Sequence, residues 1–207
     1  MSVAENLVQG SIEWHLARVG KVTASRVSEI VAKTKTGWGA SRANYMAELI
    51  AERLTGVPAD NYSSPAMKWG SETEPQARAA YEFFRDCEVQ DAGFVEHPAL
   101  KLSGASPDGF VGKDGLVEFK CPQTGTHIET LLGGAVPAKY YLQMQWQMAC
   151  TGRKWCDFVS FDPRMPENLR LFVRRLDRDA TGIYELECAV AAFLEEISQK
   201  LLRLGAL

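Results

Sequence analysis

"SPDGFVGKDGLVEFKCP", residues 106–122, decides how this chain folds. An aspartate follows a proline, a Gly-rich turn follows, and Glu118 and Lys120 then stand two apart in an apolar run. The turn chemistry reads as a β-hairpin, and the loop length sets which side chains share a face. A two-residue loop at Lys113-Asp114 places Asp108 opposite Phe119. A three-residue loop, Lys113-Asp114-Gly115 with Gly115 left-handed, places Asp108 opposite Lys120. The second register is the one expected here. It sends Asp108, Glu118 and Lys120 to one face and Val117 and Phe119 to the other.

Two carboxylates and an ammonium on a half-buried face need partners, because an unpaired buried charge costs several kcal/mol. One solution is structural, an ion pair of Lys120 with Asp108 or Glu118. The other is a hard divalent cation held by both carboxylates, with water completing the octahedron and the backbone carbonyl of Phe119 as a further oxygen. Lys120 then stands where it can orient a nucleophile or stabilise charge. Such a site suits phosphodiester hydrolysis.

Outward from the hairpin, the hydrophobic period identifies the remaining elements. "SRANYMAELIAERLTG" (41–56) reads as a helix with Ser41 as N-cap and Gly56 past its end, and 55–70 reads as the longest loop. "SETEPQARAAYEFFRD" (71–86) reads as a helix capped by Thr73, with Glu74 and Pro75 in its first turn. Glu74 then either serves the site or simply complements the helix dipole. Short strands follow to about residue 121. A helix over 137–151, two strands over 154–163 and 169–177, and a helix from about 179 to 204 complete the chain. Gln143 and Gln147 are i and i+4 on the first of these helices and share a face, whereas Gln145 points elsewhere. The order implies an α+β (mixed α/β) fold around one central sheet, a single domain over 1–207.

The bulk numbers fit a globular protein: 207 residues, 46% hydrophobic and 24% charged. No apolar run reaches the length of a membrane span, and the first residues lack a signal-peptide pattern, so a cytoplasmic location without a membrane partner is expected. The five cysteines form no C-x-x-C pair and read as reduced, buried thiols rather than a zinc site. The three histidines are isolated and read as structural. Net charge is −3, yet residues 1–45 carry six Lys/Arg against three Asp/Glu, 46–118 six against thirteen, and 139–178 eight against four. Basic segments flanking an acidic middle either focus a positive groove or form solvated faces.

Asp108, nine residues, then Glu118-Phe119-Lys120 is the core of the PD-(D/E)XK nuclease pattern. Further blocks are "WHLARVGKVTASRV" (14–27), "KWGSETEPQAR" (68–78), "GGAVPAKYYLQMQWQM" (133–148) and "FVSFDPRMP" (158–166). Together, in this order, they resemble the phage lambda exonuclease type of recombination nuclease, the YqaJ-like viral recombinase family, from about residue 14 to the final helix. The resemblance implies a restriction-endonuclease-like core and a processive, Mg²⁺-dependent 5′→3′ exonuclease on linear double-stranded DNA ends, with Mn²⁺ able to substitute and two ions bound. It implies a homotrimeric ring whose channel is basic, a 3′ overhang passed to a single-strand DNA annealing protein, and work in the cytoplasm of a bacterial host. By position, Asp108 and Glu118 match metal ligands, Lys120 the catalytic lysine, Glu74 a carboxylate near the second metal and Gln143 the active-site glutamine. Arg18, Ser25 and Ser106 match a pocket for the terminal 5′-phosphate; read without the family, Arg18 is a surface ion pair and Ser25 a helix cap. Lys35 and Met67 fall where the family places residues that split the duplex. Thr126 stands where the family has an arginine, with His127 or another basic group as its substitute. The alternatives are a structure-specific endonuclease of the same fold and a DNA-end-binding loader for an annealing protein.

Overall fold

A computed structural model describes residues 7–35, 37–59 and 64–206. The elements in chain order are α1 (Ile12–Arg18), β1 (Val22–Thr23), α2 (Val27–Ile30), β2 (Lys33–Thr34), β3 (Gly37–Trp38), α3 (Ala40–Thr55) and α4 (Pro65–Arg85). There follow β4 (Val89–Gln90), β5 (Val95–Glu96), β6 (Ser103–Ala105), β7 (Gly109–Val111) and β8 (Gly115–Lys120). The chain closes with α5 (Thr124–Gly133), α6 (Ala138–Thr151), β9 (Trp155–Phe161), β10 (Leu171–Asp177) and α7 (Ala180–Arg203). Among the described residues no helix is long and apolar enough to cross a membrane.

The central sheet has five strands in the order β10-β9-β8-β7-β4. Only β8 and β9 run parallel in it, so the sheet is mixed. A three-stranded sheet, β1-β6-β5, and the β2–β3 hairpin accompany it. The period-2 alternation of β8 divides two cores. Leu116 packs in one with Met144 and Met148 of α6 and Phe193 of α7. Val117 and Phe119 pack in the other with Ala77 and Tyr81 of α4. Each such side chain, fully buried, contributes roughly 1.5–3 kcal/mol, so β8 is fixed from both sides. Charged groups beneath the sheet are satisfied: Asp157 on β9 accepts from Tyr81 at 2.9 Å and from Arg175 at 2.8 and 2.9 Å.

The hairpin differs from expectation in register but not in faces. Gly109 pairs with Val117 and Val111 with Gly115, which one residue further on sets Asp108 opposite Glu118 rather than Lys120. The loop is Gly112-Lys113-Asp114, and its left-handed residue is Gly112, at φ +53. Gly115 lies in the strand for a different reason: a Cβ there would stand 2.1 Å from the Trp155 ring on β9. A shift of two residues preserves the alternation, so Asp108, Glu118 and Lys120 still share a face.

Helix starts depart further from expectation. α4 begins eight residues before Thr73, with Ser64 Oγ accepting Met67 N at 3.2 Å and Pro65 in the first turn. Thr73 is buried mid-helix, Pro75 lies inside the helix, and Glu74 is far from the helix N-terminus, so the dipole reading of Glu74 falls. Residues 60–63 of the expected loop lie outside the described residues. Gly39, not Ser41, caps α3, while Gly56 ends it in the left-handed conformation as expected. α5 is not expected from the sequence; its Gly and Thr residues carry little helix signal. Of the cysteines, Cys121, Cys150 and Cys156 are buried, but Cys188 is exposed.

Candidate active site

The site forms where β8 leaves the hairpin. Glu118 is 1% exposed, yet both its oxygens are engaged. Oε1 accepts from Lys120 Nζ and from Gln143 Nε2 at 2.6 Å, and Oε2 accepts from Gln147 Nε2 at 2.5 Å. The two glutamines project one turn apart from α6, which crosses this face of the sheet. Asp108 sits just before β7, where its Oδ2 accepts the Phe119 amide at 2.7 Å and its backbone carbonyl accepts Arg78 Nη2 at 3.0 Å. Glu74, on α4, lies near enough for its charge to act on Lys120 and Glu118.

Electrostatically the cluster has too much negative charge. Burial, reinforced by Glu118, pushes the Asp108 carboxyl well above its ordinary value. Burial also raises Glu74, with Lys120 and Arg78 opposing and Glu118 reinforcing. Burial alone would lower Lys120, but Glu118 and Asp108 outweigh it and raise the ammonium. Three carboxylates thus share chiefly one ammonium.

A cavity of about 150 Å³ opens on this cluster, and Arg18, Ser25 and Ser106 line it together with Asp108, Glu118, Lys120 and Gln143. It adjoins a cleft of about 1220 Å³ that also carries Arg18 and Ser25 and has Glu74 and Met67 on its α4 wall. Ser106 Oγ accepts from Trp14 Nε1 at 3.0 Å and from Arg18 Nη1 at 3.5 Å. The Arg18 guanidinium lies 3.9 Å from the centre of the Trp14 ring. Burial lowers Arg18 to about 10, so it remains a cation at neutral pH.

Neither alternative reading of these residues holds. Among the described residues no carboxylate forms an ion pair with Arg18, and Ser25 lies inside a 3₁₀ turn, Ala24–Arg26, without capping α2. Three other N-terminal cations are paired with carboxylates: Lys21 with Glu96, Arg26 with Glu29 and Glu48, and Arg42 with Glu196. The positive field in this cavity therefore comes from a few placed groups rather than from the whole basic segment. Lys35 lies in the exposed turn between β2 and β3, whereas Met67 lines the larger cleft. His127 does not replace the missing arginine. It is fully buried, with Nδ1 2.8 Å from Ser160 Oγ and Nε2 2.8 Å from the Leu169 carbonyl.

Two site neighbours went unassigned in the sequence. Trp14 is the i−4 partner of Arg18 on α1, a helix not expected from the sequence. Gln9, which donates to the Pro107 carbonyl at 2.6 Å, carried no signal. As to a metal, no three His, Cys, Asp or Glu side chains among the described residues stand close enough together to hold one between them. Asp108 and Glu118 form a pair of hard oxygen donors with excess negative charge, which fits an oxygen-preferring divalent cation whose other ligands are water and backbone.

A mixed sheet flanked by helices, with paired carboxylates and a lysine at the end of a central hairpin, defines the class: a restriction-endonuclease-like α/β core. The pattern of the YqaJ-like viral recombinase domain matches residues 13–154. The chain belongs to this family. It is 49% identical to an alkaline exonuclease from Laribacter hongkongensis (LHK-Exo), with 94% of this chain and 96% of that one covered at a TM-score of 0.89. The crystal structure of LHK-Exo in complex with dAMP matches with the same identity, coverage and TM-score. A phage-related exonuclease from Haemophilus somnus 129PT, 19% identical, shares the fold at a TM-score of 0.73 over 89% of this chain and 96% of that one. None of the curated proteins compared matches the chain.

Proposed function

We propose that this protein is a Mg²⁺-dependent exonuclease that removes one strand of linear double-stranded DNA from its 5′ end, leaving a 3′ single strand. One observation carries the reading: Asp108, Glu118 and Lys120 share a cavity with Arg18, Ser25 and Ser106. That cavity holds both the groups for phosphodiester hydrolysis and a cation with two hydroxyls suited to a phosphate. The exonuclease relative at 49% identity supports the same chemistry.

Asp108, Glu118 and the Phe119 carbonyl would hold the metal, with Glu74 beside a second ion; bound there, a divalent cation supplies acidified water and offsets charge on the phosphate. Mn²⁺ is expected to substitute. Lys120, held beside Glu118 in the same cavity, would orient the attacking water or stabilise charge on the phosphate. Gln143 holds Glu118 Oε1 beside Lys120 and presents its amide to the cavity. Arg18 meets a terminal 5′-phosphate as a guanidinium already desolvated against Trp14, with hydroxyl donors from Ser25 and Ser106. The reading extends to a ring of three copies around the DNA, to transfer of the 3′ strand to an annealing protein, and to the bacterial cytoplasm.

The test is digestion of linear duplex DNA, with and without a 5′-phosphate, in Mg²⁺ or EDTA, beside a closed circle. Mg²⁺-dependent loss of the 5′-phosphorylated strand with the circle intact is expected, and Lys120→Ala should lower the rate by about 100-fold or more while end binding persists. Cleavage of the circle would replace the exonuclease with an endonuclease. End binding without cleavage by the wild type would leave a DNA-end loader.

A further inference from the structure

Gln147 is fully buried, one turn beyond Gln143 on α6, and its amide lies between two groups of opposite hydrogen-bonding need. Glu118 Oε2 is a pure acceptor and takes Nε2 at 2.5 Å. On the other side the Cys156 thiol donates to Oε1 across 3.9 Å. Cys156 is itself fully buried on β9, on the same sheet face as Glu118, with Leu116 as its partner in the parallel register. Burial, with Glu118 and Asp108 nearby, keeps that thiol protonated and so keeps it a donor. The amide therefore has one satisfied orientation, and flipping it would set carbonyl against carboxylate.

The consequence falls on Glu118. Its Oε1 is shared by Lys120 and Gln143, whereas Oε2 receives a single donor, Gln147, from the protein interior. That donor restrains the rotation of the carboxylate. We infer that Gln147 is a positioning residue for Glu118, seated in turn by Cys156, and that the affinity of the Asp108–Glu118 pair for a divalent cation depends on this relay. The inference rests on the metal-dependent reading above. Outer-shell partners of carboxylate ligands usually account for about 10–100-fold in metal affinity, and Gln147 lies too deep to touch DNA.

The experiment is calorimetric titration of the DNA-free protein with Mn²⁺, for wild type, Gln147→Met, Cys156→Ala and the double variant. Gln147→Met should bind about 10–100-fold more weakly. Cys156→Ala should weaken binding by a smaller factor, and should add nothing in the Gln147→Met background, because it acts through the amide. Gln147→Asn, which keeps the amide but withdraws it from Glu118, should weaken binding as well, and it decides the matter if Gln147→Met does not fold. A folded variant with wild-type Mn²⁺ affinity and only a lowered melting temperature would make Gln147 mere packing and overturn the inference. Equal losses from Cys156→Ala in both backgrounds would remove Cys156 from the relay. Failure of the wild type to bind Mn²⁺ would overturn the metal-dependent reading itself, and the relay with it.

Discussion

At Asp108 the structure opposes stability to chemistry. The folded-state value of its carboxyl lies above the unfolded one, since burial and Glu118 both disfavour the charged form. Its contribution to the metal-free fold is therefore complete below about pH 4 and is lost as pH rises through the raised value. The substitution Asp108→Asn introduces a side chain that stays neutral at every pH, while its carbonyl oxygen can still accept the Phe119 amide. In EDTA at pH 8 this variant should melt above the wild type, by about 2–4 °C for each kcal/mol of repulsion relieved, and the gap should close by about pH 4. Thermal melts across pH check this, and a variant that melts lower at pH 8 would contradict it. Alternation alone placed the charged trio in the sequence, because it survives a register shift of two. Gln9 was not legible: its role depends on a chain crossing from residue 9 to Pro107, which no local pattern encodes.

Among the elements, β8 and β9 form the parallel pair on which the site rests, and their fit is tightest at Gly115. A methyl group there would meet the Trp155 ring at 2.1 Å. Gly115→Ala should cost about 1–3 kcal/mol by overpacking, measurable by denaturant unfolding; an unchanged midpoint would show that Trp155 yields freely. This glycine also explains the misjudged hairpin. Three glycines lie at 109, 112 and 115, and turn rules alone cannot separate one needed for a left-handed backbone from one needed for space under an indole. The strands after residue 88 and the helices α6 and α7 were legible from their hydrophobic periods, whereas α1, α2 and the two-residue strands β1, β2 and β3 are too short to show one. The start of α4 was obscured by Gly70 and Pro75, which resemble breakers, although Ser64-Pro65 carried a true start signal. α5 was obscured because it is held by His127 and Thr130 rather than by an apolar stripe.

At the level of the whole molecule, metal binding and folding are linked. A cation that binds only the folded state, present at roughly 100 times its dissociation constant, adds about 2.7 kcal/mol. Saturating Mg²⁺ should therefore raise the wild-type melting temperature by about 5–10 °C and leave Asp108→Asn nearly unmoved; equal shifts in the two proteins would argue against Asp108 as a ligand. α4 joins the two halves of this picture, with Ala77 and Tyr81 in the core and Met67, Ser71 and Glu74 on the cleft wall. Pro75 lacks an amide hydrogen, so the carbonyl of Ser71 loses its helical donor at the boundary between those halves. Pro75 is thereby the weak joint of a helix that runs unbroken from Pro65 to Arg85, with the inner arm held in the core and the outer arm on the cleft wall. Backbone amides of 67–74 should exchange with deuterium faster than those of 77–85, and a nucleic acid in the cleft should slow the outer arm alone.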